Sequence, residues 1–76
     1  MSTTQYTKEQ IASIIGFIGK LNLSQTCELL YRCNDDGIEN EFIVPALIRR
    51  LYQLVDTNRA DGIIRMARDH YGVKIA

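Results

Sequence analysis

Residues 7–21 read TKEQIASIIGFIGKL, and the reading of that stretch decides the fold. Thr7 is a residue type that caps helix N-termini, and Gln10 three places on completes a capping box. Tyr6 and Ile11 stand at the two positions of a hydrophobic staple. Ile11, Ile14, Ile15 and Ile18 then recur at i, i+3, i+4 and i+7, the period of an amphipathic helix. Gly19 or Asn22 is expected to stop it.

Two glycines interrupt this helix, and two chemistries compete to explain them. A Gly-x-x-Gly loop between two helices clamps the nucleic-acid backbone in KH-type domains. Here Phe17 and Ile18 fill the middle positions, where a phosphate-facing loop needs small or basic residues. The strands of that fold are also missing, because only ten residues precede Ile11. No Walker loop occurs either. Close helix packing explains the glycines better. Ala12, Gly16 and Gly19 lie at i, i+4 and i+7, so a neighbouring backbone can approach that face. Such a gain would offset the ~1 kcal/mol that glycine costs inside a helix. Ile15 and Phe17 extend the apolar character around the circumference, so this helix is expected to be central or covered by another subunit. Ala12, Ile15, Gly16, Phe17 and Gly19 are therefore the expected self-association residues.

The same periodicity runs through the rest of the chain. Ser24 is the expected N-cap of a second helix reaching Cys33, with Leu23, Cys27, Leu30 and Tyr31 on one side. Asn34-Asp35-Asp36-Gly37 is a turn cluster in which Gly37 can adopt the left-handed, helix-ending conformation. Proline is comfortable only in a first helical turn, so the third helix is expected near Val44, or slightly earlier with Pro45 early in it. Residues 38–43 then form a helical turn or an extended lead-in. Val44, Leu47, Ile48, Leu51, Leu54 and Val55 make the buried stripe. Residues 56–58 are a short connection, and Ala60, Ile63, Ile64, Ala67 and Tyr71 repeat the helical spacing up to Gly72. No segment alternates like a strand. The expected fold is all-α, a compact bundle of about four short helices in a single domain over residues 1–76. Residues 1–5 are an expected flexible N-terminus, and residues 73–76 a short tail that folds back.

A 76-residue chain buries only about 60% of its unfolded surface, so it needs outside support. Two cysteines are too few for a disulfide scaffold. Cys27 and Cys33 are about 600° apart around a helix and cannot pair on one. They lack the Cys-x-x-Cys spacing of zinc sites and read as small buried hydrophobes. Oligomerisation is the support that remains. No run is long enough to span a bilayer, and the start lacks the pattern of a signal peptide, so the expected compartment is cytoplasmic, without membrane.

The chemistry-bearing residues form no recognised motif. Placing Gly37 at the glycine of a calcium-binding EF-hand loop puts Arg32 and Ile43 where Asp and Glu must stand. His70, the single histidine, has no nucleophile elbow or cofactor fingerprint beside it. No enzyme activity, metal or cofactor is expected. A helix-turn-helix placed on Ala12 and Gly16 would put Asn22 and Gln25 at apolar positions.

Charge is balanced at nine positive and nine negative residues, so no global attraction to nucleic acid exists. The positives gather late: residues 57–76 sum to +2 and residues 1–56 to −2. Asp61, Arg65 and Asp69 step by four and read as a salt-bridge ladder on a solvated helix face. Arg49, Arg50, Arg65 and Arg68 would make one anion-binding patch if the last two helices pack antiparallel. With Tyr52 and Tyr71 they are the expected partner-binding or anion-binding residues. A second such surface is the acidic loop of Asp35, Asp36, Glu39 and Glu41. This profile suits a self-associating interaction module, a homodimer or higher homo-oligomer. It would act on another protein as a regulator, adaptor or inhibitor by covering its surface. The alternative is a nucleic-acid or nucleotide-binding regulator using the late arginines.

Overall fold

Four helices, three of them capped by a side chain at the N-terminus, follow one another in a computed structural model that describes residues 6–75. The expected flexibility of residues 1–5 lies outside the described residues. α1 spans Lys8–Ile18, and its capping box is formed: the Thr7 hydroxyl accepts from the Gln10 N–H at 3.0 Å, and the Gln10 side chain accepts from the Thr7 N–H at 2.8 Å. Tyr6 packs edge-on against Phe42 at 5.3 Å between ring centroids, which anchors the start of α1 across the fold.

α2 spans Leu23–Tyr31 and begins before the expected Ser24. Its cap is Asn22, which forms a second reciprocal box with Gln25 at 2.8 and 3.0 Å. The buried Thr26 hydroxyl donates to the Asn22 carbonyl at 2.7 Å, which satisfies a polar group in the core. The helix stops at Tyr31, two residues short of the expected end, and Cys33 tucks into the core below it.

Gly37 does not take the left-handed conformation expected of it; among the described residues only Gly72 does, at φ 75°. The turn is held instead by Asp35, whose carboxylate accepts from the Gly37 N–H at 3.1 Å and from the Asn40 side-chain amide at 2.9 Å. An Asx turn makes a left-handed residue unnecessary there.

α3 spans Asn40–Leu54 and runs through Pro45, deeper than the first turn. Overlapping bonds from the Asn40, Glu41 and Phe42 N–H groups to Gly37, Ile38 and Glu39 wind the chain into the helix early. Pro45 lacks an N–H, so the Glu41 carbonyl loses its helical donor. Pro45 and Glu41 are both exposed, where water can take that donor's place.

α4 spans Thr57–Asp69, capped by Asp56, which accepts from the Arg59 N–H at 2.8 Å. Past Gly72 the tail turns back, and the Val73 N–H bonds the Ala67 carbonyl at 3.0 Å. Val73 is buried, and Lys74 pairs with Asp36 over the 32–39 connection.

α3 packs against all three other helices, and α2 also meets α4. The core joins Ile18, Leu21, Leu30, Val44, Leu47 and Leu51 with Ala60, Ala67 and Val73. The first helix is therefore not central. Ile18 is its one fully buried side chain, and a β-carbon added at Gly16 would meet nothing within 4 Å. Small residues do permit close approach elsewhere: Ala60 and Ala67, seven apart on α4, are fully buried.

Candidate interaction surface

α1 and α3 lie side by side in the same direction. Tyr6 meets Phe42 at their starts, and the Arg50 Nε donates to the Leu21 carbonyl at 2.9 Å near their ends. A groove of about 450 Å³ runs between them, with Ile15 and Gly19 on the α1 side and Phe42, Ala46, Arg49 and Arg50 on the α3 side. A second groove of about 670 Å³ runs along the other flank of α3, bordered by Val44, Ile48, Tyr52 and Ile75. Glu41, Pro45 and Arg49 border both grooves. They stand at i, i+4 and i+8 and form the exposed ridge that separates the two.

The expected self-association residues divide around α1. At about 100° per residue, Ile15, Gly19, Ala12 and Gly16 follow one another around α1; Ile15 and Gly19 border the first groove, and Ala12 and Gly16 are exposed beyond it. Phe17 lies about 160° from Ile15, on the far side. Ile15 is 39% exposed and Phe17 62%.

The arginines of the expected patch have different surroundings. Arg49 borders both α3 grooves, whereas Arg65 borders a separate hollow with Met66, Asp69 and His70. Arg50 serves the fold, since its guanidinium holds the Leu21 carbonyl and, at 3.1 Å, the Gln53 side chain. Arg68 pairs with Asp69 at 2.9 Å, which lowers the Asp69 carboxyl from its ordinary value and raises the arginine. The Tyr52 hydroxyl donates to Asp61 at 2.5 Å, and that bond raises its pKa. Asp61 and Asp69 are thus engaged by Tyr52 and Arg68, and the ladder through Arg65 is not formed among the described residues. Tyr71 stacks on Tyr31 at 4.3 Å and 13°, closing α4 onto α2.

The acidic loop is likewise partly consumed. Asp36 is paired with Lys74. The Gly37 N–H first, and the Asn40 amide second, hold the Asp35 carboxyl below its ordinary range. Burial raises both thiols, most directly through desolvation, and Asp35 and Glu39 add to the effect at Cys33. Both cysteines are free. Among the described residues no three His, Cys, Asp or Glu side chains gather as metal ligands would. No described helix is long and apolar enough to cross a membrane.

The row of Glu41, Pro45 and Arg49 escapes the sequence reading as one surface: Glu41 reads there as part of the acidic loop, Pro45 as a helix start and Arg49 as part of the arginine patch, although the three show the i, i+4, i+8 spacing of one helix row. No family model, curated protein or solved structure matches the chain.

Proposed function

We propose that the chain is a self-associating helical interaction module, cytoplasmic and without catalytic activity, that regulates or inhibits a partner protein by covering part of its surface. One observation carries the reading. α1 is apolar around most of its circumference, yet it buries one side chain fully and leaves Ile15 exposed beside an open groove and Phe17 exposed on the opposite side. Apolar surface left in water at this density favours association, at about 25 cal/mol per Å² removed. A 76-residue chain gains from such cover because its own core is small.

Light scattering on a size-exclusion column, with absorbance at 260 and 280 nm, tests this reading. A dimer or larger species with protein-like absorbance, stable in raised salt, supports it. A monomer at micromolar concentration contradicts it. A 260 nm excess that salt removes would replace it with the nucleic-acid reading, because phosphate contacts weaken steeply with ionic strength. Charge reversal of Arg65 and Arg68 would then abolish that binding.

A further inference from the structure

We infer that two copies of the chain pair through α3, antiparallel about a two-fold axis beside Pro45, with Glu41 of each copy facing Arg49 of the other. The inference rests on the self-association proposed above and names its surface.

The ridge Glu41–Pro45–Arg49 is a charge pattern that complements its own reverse. Glu41 and Arg49 stand four residues on either side of Pro45, so they are about 12 Å apart along the axis. At that separation they cannot pair with each other. Among the described residues neither makes an ion pair or side-chain hydrogen bond. An antiparallel second copy presents the pattern reversed, so each acid meets a base twice across one axis. A two-fold contact demands this self-complementarity, in which residue i meets j and j meets i. A parallel arrangement would set like against like.

Pro45 contributes in two ways. Its ring is a low apolar surface at the centre of the ridge, suited to close approach near the axis. Its missing N–H leaves the Glu41 carbonyl without a helical donor, so the face carries an open acceptor beside the carboxylate. A guanidinium has five donors in a planar fork and can serve both acceptors together. Lysine at position 49 could not match that geometry.

The flanks supply apolar area. Rows at i±4 interdigitate when two helices cross at about −50°. Each ridge then enters a groove beside the other, against Ile15 and Ala46 on one flank or Ile48 on the other. A standard interface takes about 800 Å² from each partner. That is a modest part of the 5362 Å² the chain exposes.

Sedimentation equilibrium of the wild type, E41R, R49E and the double variant E41R/R49E tests the inference. Far-UV circular dichroism controls for folding, and both positions are exposed on a helix that arginine and glutamate favour. Each single reversal sets like charges together twice and is expected to weaken the dimer about tenfold or more. The double variant restores the complementarity and is expected to return to within about threefold of the wild type. A dimeric wild type with unchanged single variants would place the interface elsewhere while leaving self-association standing. A double variant no tighter than the singles would also overturn the pairing. A monomeric wild type would remove both proposals together.

Discussion

Asn22 carries more of the fold than its neighbours suggest. Its side chain closes one capping box, its carbonyl takes the Thr26 hydroxyl, and it follows the buried Leu21. Asn22→Ala is expected to cost about 1 kcal/mol and lower the melting temperature by about 4–8 °C in a domain of this size. Ser24→Ala, at the cap read from sequence, should cost much less in the same thermal scan. Gly72 is the residue whose backbone requires glycine, at φ 75°. Gly72→Ala is expected to destabilise by about 1–2 kcal/mol, read from urea unfolding. The thiols give a pH dependence. Burial raises both in the folded chain, so the folded state holds protons that the unfolded chain has released. Their contribution is complete below the unfolded thiol pKa of about 8.5 and falls as pH rises above it. Unfolding midpoints at pH 7 and pH 9.5 check the sign, and a double Cys→Ser variant should flatten the difference.

The helices were legible because each advertises its period, and α1 its N-terminal cap as well. Thr7 with Gln10 is a local signal four residues long, and the structure forms the bonds it predicts. Asn22 with Gln25 has the same form, but Ser24 two residues later competes for the same role, and propensity alone does not separate them. What stayed hidden depends on distant partners. Nothing near Arg50 indicates that its guanidinium will hold a carbonyl 29 residues away, and nothing near Asp36 points to Lys74. The candidate site suffered similarly: the arginines were visible as charges, but the partners that hold Arg50 and Arg68 were not. Pro45 shows the limit of a propensity rule. It sits in the second turn of α3 because the Asn40–Phe42 bonds start the helix early and because Glu41 and Pro45 are both exposed, so water can reach the orphaned Glu41 carbonyl. Pro45→Ala is expected to restore one helical bond and raise the stability of the isolated chain by about 1–3 kcal/mol at low protein concentration. A loss of stability would mean that the proline ring is packed in the monomer.

Taken whole, the chain builds its core around α3 and spends small residues on α4, where Ala60 and Ala67 are fully buried. Leu47 is fully buried on α3, and Leu47→Ala is expected to cost about 2–5 kcal/mol, enough to unfold much of so small a domain. α1 is the outlier, an apolar helix held mainly along one side. If a second copy pairs with the chain, stability and association are one equilibrium, and the melting temperature must rise with protein concentration. The most direct test of self-association is therefore the solution mass across a hundredfold range of concentration. The account predicts a mass that climbs to twice 8.7 kDa or more by micromolar concentration and persists in raised salt. A mass fixed at that of one chain throughout the range would contradict it.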